Sequence, residues 1–192
     1  MLRTLNLIVV FMAAFAASTT TWAQTFDINL SDTSAQFKYS TRIGNPNEGR
    51  SELGFGFLYN DDDNYMGEAG LLIVDVAGTK TPGLEVGVGP KLFAARDDST
   101  SGDAVSIGIG GQLRYKLANL SRVNFTLAGY YAPGIVSFAD AKNMYEVNGQ
   151  VGYEILPTAN VYVGYRHIEV NFDPIGKETI DETWMVGMKF SY

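Results

Sequence analysis

The sequence has no cysteine and a single histidine, His167. Without cysteine there are no disulfides, thiolate metal sites or thiol catalysis. A lipoprotein signal is excluded too, because no residue could carry the lipid. The absence suits passage through an oxidising compartment, where a stray thiol forms wrong pairs. Basic runs are also missing: 14 Lys and Arg stand against 21 Asp and Glu, for a formal charge of −7. Nucleic acid is therefore not an expected partner. Only one long apolar run exists, Leu5 to Ala17, interrupted by Asn6. It is too short for a spanning helix, which needs about 20 residues.

That run has a different meaning. Arg3 is the only charge before Asp27, and Thr21-Trp22-Ala23 places small residues at the two positions a signal peptidase reads. The pattern predicts a secretory signal peptide over residues 1–23, cleaved after Ala23, with a one-domain mature chain from Gln24 to Tyr192. A retained N-terminal anchor is the alternative.

Behind Gln24 the dominant signal has period two, as in strands with one face in lipid and the other toward a lumen. In 104–117, Val105, Ile107, Ile109, Leu113, Tyr115 and Leu117 oppose Ser106, Gln112, Arg114 and Lys116. In 121–132, Val123, Phe125, Leu127 and Tyr131 oppose Arg122, Asn124 and Thr126. In 143–155, Tyr145, Val147, Val151 and Tyr153 oppose Glu146, Asn148, Gln150 and Glu154. In 182–192, Trp184, Val186, Met188, Phe190 and Tyr192 oppose Met185, Gly187, Lys189 and Ser191. Runs around Phe55, Val86 and Val163 alternate with less contrast. Gly70 to Val74 does not alternate cleanly, and Asp75 assigns its odd face to the lumen.

Polar or Gly- and Pro-containing segments separate these runs. Asn60–Asn64, Asp97–Asp103, Ala132–Asn143 and Asp173–Asp181 are longer; Ala118–Ser121 and Pro157–Asn160 are shorter. Alternating long and short connections fit outer-membrane barrels. The expected fold is all-β: an antiparallel up-and-down transmembrane β-barrel. It has ten strands if 25–31 and 34–43 form a hairpin in the wall, and eight otherwise; the pattern favours ten. A soluble barrel or sandwich would also alternate. Strands reaching the roughly 9–11 residues needed to cross a bilayer argue for the membrane. So do aromatics near strand ends, as at Tyr59, Tyr65, Tyr115, Tyr131, Tyr145 and Tyr153.

The last strand, with Trp184, Val186, Met188, Phe190 and terminal Tyr192 at alternate positions, resembles the segment by which the barrel-assembly machinery recognises outer-membrane proteins. That ending is usually Phe, so Tyr192 departs mildly. The whole layout resembles the YfaZ family. The likeness is carried by Asp27-Ile28-Asn29-Leu30-Ser31-Asp32-Thr33, Leu53-Gly54-Phe55-Gly56-Phe57-Leu58-Tyr59 and Val161-Tyr162-Val163-Gly164-Tyr165-Arg166. The resemblance implies a cell outer-membrane barrel of a Gram-negative envelope, with lipid and lipopolysaccharide around it, and brings no catalytic residues.

Facing places Glu52, Asp75, Glu85, Lys91, Arg114, Lys116, Arg122, Glu146, Glu154, Arg166 and Lys189 in the lumen. Small barrels are filled by side chains, so these charges are expected to pair into a network that fills the interior. The other reading is a narrow hydrophilic pore tuned by them. His167 with Glu169 on the same face would suit a hydrolase if a serine joined them. Parity instead sets His167 on the outer face at the rim. Asp61-Asp62-Asp63 lacks the spacing of a calcium loop and reads as a solvated turn. Gly87–Gly89 and Gly108–Gly111 lie within strands and ease curvature. No catalytic, cofactor-binding or metal residue is therefore expected, and no cofactor. The function expected is a non-enzymatic barrel, structural or a narrow porin-like channel. The rivals are an outer-membrane enzyme acting on lipid or protein and a surface-binding module.

Overall fold

The computed structural model describes residues 23–44, 50–77, 83–97, 102–173 and 176–192. The signal peptide expected over residues 1–23 lies outside them but for Ala23. Eleven strands follow in order: β1 (Gln24–Leu30), β2 (Ser34–Ile43), β3 (Arg50–Asn60), β4 (Tyr65–Val76), β5 (Leu84–Asp97) and β6 (Gly102–Lys116). Then come β7 (Val123–Ala132), β8 (Ser137–Ala139), β9 (Ala141–Leu156), β10 (Ala159–Phe172) and β11 (Gly176–Ser191). Ten of them form the wall, each antiparallel to the next. The three-residue β8 continues the ladder on β6 beyond β7. β1 closes the ring on β11, from Thr25 opposite Ser191 to Leu30 opposite Val186. The first hairpin is thus in the wall, and the count is ten. Closure pairs every wall strand on two sides, which a hydrocarbon solvent demands of any spanning sheet.

The period-two assignments hold through most of the wall. On β6, Ile109 is 74% exposed on the outside while Ser106 is fully buried inside. Gly89 sits at an interruption of the β4–β5 ladder. Its neighbour Pro90 has no N–H for the ladder, the β4–β5 register skips here, and a Cβ on Gly89 would collide with the Leu71 carbonyl.

Two facings need correction. On β4 the even residues point inward: Val74 is buried and Asp75 is exposed on the outside. Asp75 misled because it lies at the strand end, where an outward carboxylate meets water. Arg122 is not a lumen residue either; it lies exposed in the turn before β7.

Gln24 and Tyr192 meet at one end of the barrel, the terminal end. Toward the opposite, distal end, β9, β10 and β11 run on past their apolar outer band. Residues assigned by sequence to long loops there, among them Asp103, Asn143 and Asp181, are strand. The polarity of the faces inverts in these extensions. On β10 the outer face runs Val161, Val163, Tyr165 and then His167, Glu169, Asn171. The inner face runs Asn160, Tyr162, Gly164, Arg166 and then Ile168, Val170, Phe172. On β10 the apolar outer face ends near Tyr165, and above it the strand is apolar inside and polar outside, as in a water-soluble barrel.

β1 is short and pairs only with the last six residues of its β11 partner, Val186–Ser191. Above Leu30, side chains bridge the gap. Asn60 donates its amide to the Ile180 carbonyl at 2.8 Å, and the Thr183 hydroxyl donates to Asp32 at 3.1 Å.

Candidate functional site

The distal half of the lumen is closed by hydrocarbon. Leu58, Met66, Phe93, Met144, Ile168 and Ile180 project inward from six strands, and each is 0 or 1% exposed. They pack with Tyr130 and Phe172 into one cluster. Ion pairs were expected to fill the barrel; an apolar seal closes it instead. The sequence signal for the seal is the polarity inversion, which puts Ile168, Val170 and Phe172 on the face that carries Arg166.

Charged rows lie beneath the seal. Lys91 holds Glu68 and Glu146, both at 2.6 Å. Its ammonium also lies 5.0 and 4.9 Å from the ring centres of Phe93 and Tyr130. Arg114 grips Glu52 with two nitrogens at 3.0 and 2.7 Å, and Arg50 grips Glu85 at 2.9 and 2.6 Å. Such forked pairs fix geometry as well as charge. Lys116 meets Glu154 at 2.7 Å nearer the mouth.

Arg166 is wholly buried. It donates to Asp181 at 2.6 Å, Asn29 at 2.8 Å and Ser34 at 3.0 Å, and also to Gln36. A charge out of water is tolerable only when its hydrogen-bonding capacity is met. Here that need ties β10 and β11 to the short β1–β2 hairpin.

The pairs do not fill the terminal half. A cavity of about 610 Å³ remains, reaching from Thr25, Arg42, Gly83 and Ser191 up to Lys91, Glu146 and Tyr130. Of the charges expected inside, Glu52, Glu85, Lys91, Arg114, Lys116, Glu146 and Lys189 line it. Glu154 pairs at its edge and Arg166 lies buried beyond it. Sequence reasoning missed Asp27, Lys38, Arg50, Glu68 and Asp181, which the register carries onto the same inner face.

His167 points outward, as parity required. Its Nε2 lies 2.8 Å from the Tyr145 hydroxyl, which also donates to Glu169 at 3.1 Å. Glu182 stands 3.6 Å from Nδ1. The hydroxyl beside His167 is thus a phenol on the outer wall, not a serine. Asp61, Asp62 and Asp63 form an exposed turn, where Asp63 accepts the Tyr59 hydroxyl at 3.0 Å.

Comparison with known proteins agrees with this geometry. The family model described as YfaZ precursor matches residues 5–192. No curated protein matches the chain. A membrane protein solved in work on in-meso crystallization superposes with a TM-score of 0.50 at 14% identity, over 88% of this chain and 83% of its own. A bacterial polysaccharide outer membrane secretin gives 0.49 at 11% identity over 91% and 67%. KdgM porin gives 0.45 at 12% identity over 88% and 99%. These are likenesses of fold. An apolar belt on the outer face of a closed ring of antiparallel strands is the pattern of a membrane-spanning barrel.

Proposed function

The chain belongs to the YfaZ family, and we propose that it is a narrow, non-enzymatic porin-like barrel whose resting lumen is shut on its distal side. One observation carries the reading: a continuous apolar cluster, led by Leu58, Met66, Phe93 and Met144, lies across the lumen above a charged, open vestibule. Hydrophobic constrictions of this kind stop ions by excluding water, and a modest rearrangement can rewet them. A barrel of ten strands has little spare width, since roughly eight strands are filled by side chains and open porins use 16 or more.

On this reading the terminal end, with Gln24 and Tyr192, faces the periplasm, and the vestibule opens there. The distal extensions stand at the cell surface, where His167, Glu169 and Glu182 meet lipopolysaccharide headgroups. β11 is the strand presented to the barrel-assembly machinery. The non-enzymatic part is supported by the surroundings of His167, which has a phenol and two carboxylates beside it and no serine among its described partners.

Planar-bilayer recording of the purified protein tests the proposal. Small or no steady conductance is expected. Large, stable single-channel steps from the unmodified protein would overturn it.

A further inference from the structure

The vestibule is unevenly charged. Seven cations line it (Lys38, Arg42, Arg50, Lys91, Arg114, Lys116 and Lys189) against five carboxylates (Asp27, Glu52, Glu68, Glu85 and Glu146), a balance of +2 in a chain whose own charge is −7. Counting Glu154, the partner of Lys116, leaves +1. The excess is not spread evenly. Lys91, Arg50, Arg114 and Lys116 each hold a carboxylate at 3.0 Å or closer.

Three cations on one patch of wall do not. The register sets Lys189 on β11 and Lys38 on β2 on either side of Asp27 on β1. Asp27 serves neither well. One of its oxygens accepts the Tyr162 hydroxyl at 2.6 Å, and the other is 3.9 Å from Lys189. Lys38 reaches Glu68 only at 3.4 Å, and Lys91 already holds that carboxylate. Lys189 donates to the neutral Gln150 at 2.6 Å and lies 4.7 Å from the Tyr162 ring centre. Arg42 makes no ion pair among the described residues.

Hydroxyls complete the patch. One step toward the mouth, the same three strands align Ser191, Thr25 and Ser40, with Thr25 and Ser191 3.1 Å apart. Two ammoniums, a guanidinium and three hydroxyls on one concave wall are the donor set of an oxyanion site. Like charges gathered on one wall cost free energy that a bound anion would relieve.

We infer that this β11–β1–β2 patch binds the oxyanion group, phosphate or carboxylate, of a small solute entering from the terminal end. The inference rests on the vestibule being open at that end, as proposed above, and not on the seal. Conductance tests the seal and binding tests the patch, so either can fail alone.

The experiment is isothermal titration of the full mature barrel, folded in detergent micelles, with inorganic phosphate and separately with citrate, against chloride as the blank. Saturable binding of at least one oxyanion is expected; which one binds distinguishes phosphate from carboxylate chemistry. Lys38→Gln with Lys189→Gln should weaken it at least tenfold. Lys177→Gln removes the same kind of charge from the outer wall and should leave it unchanged. Heat-modifiable gel migration checks folding; if the double variant does not fold, Arg42→Gln at the mouth should still weaken binding several-fold. Absence of saturable binding by the unmodified barrel would overturn the inference. Equal weakening by Lys177→Gln would reduce it to an effect of net charge and overturn it as well.

Discussion

Phe93 and Tyr130 meet edge to face inside the lumen, with ring centres 6.3 Å apart and planes at 75°. Lys91 lies under both rings while it holds Glu68 and Glu146. The pair therefore marks the level at which the lumen changes from ion pairs to hydrocarbon. Edge-to-face packing and the cation beneath both favour this arrangement, so the seal and the ion pairs support each other.

Opening this level should open the barrel. Phe93→Ala removes a ring that is 1% exposed, and loss of a buried Phe typically costs about 3–5 kcal/mol. Phe93→Ser combined with Tyr130→Ser would also make the cleared space wettable. Single-channel recording is expected to show steady ion flow in the double variant at voltages where the unmodified protein is silent. A double variant that folds and stays silent would place the closure elsewhere.

Arg166 offers a test of how the short first hairpin is held. Arg166→Met leaves Asp181, 4% exposed, buried without its cation. Breaking such a pair from one side costs about 3–5 kcal/mol. Adding Asp181→Leu should restore much of the loss, since Asn29 already donates to Gln36 at 3.2 Å. Urea titrations in lipid vesicles should show this order. Proteolysis near residues 31–33 should rise only in the single variant.

What the sequence revealed, and what it hid, follows from one physical cause. Where one face meets lipid and the other meets charge, alternation is unambiguous, and Ile109, Gln112, Val151 and Glu146 fall as expected. Phe26, Ile28 and Leu30 against Phe37 and Tyr39 likewise put the first hairpin in the wall. Where both faces are apolar, parity loses its contrast. Leu71 to Val74 reads either way, because its inner side carries Leu72 and Val74. The seal was hidden for the same reason, and because the outer polarity at His167 and Glu169 looks like an ordinary rim. The polar contacts joining β1 to β2, β10 and β11, such as Asn29 to Gln36, Arg166 to Asn29 and Tyr162 to Asp27, depend on register across the closing seam, which a single strand's pattern does not contain.

The facing of β6 has a direct energetic test. Ile109 is 74% exposed toward lipid, with Leu113 and Ile107 on the same face, while Gln112 lines the cavity. Ile109→Arg near the bilayer midplane is expected to cost about 2–4 kcal/mol. Gln112→Arg should cost far less, because water reaches the cavity. Folding titrations into lipid bilayers measure both. Equal costs at the two positions would contradict the facing.

The last expectation concerns where the working chain begins. Gln24 and Tyr192 exchange both backbone hydrogen bonds, at 2.8 and 3.0 Å. The seam of the ring is therefore stitched from Gln24 onward, the residue that follows the small-residue motif ending in Ala23. A sheet spanning a membrane leaves no unpaired edge, so cleavage that removed Gln24 would cost the seam its end pair, and cleavage well upstream would leave a hydrophobic leader beside it. Intact-mass measurement and N-terminal sequencing of outer-membrane fractions are expected to give a chain starting at Gln24. Ala23→Arg, which puts a large charged residue in the cleavage position, should leave the leader attached and lower the yield of folded barrel. A mature start several residues into β1, or efficient processing of the Ala23→Arg chain at the same bond, would contradict the assignment.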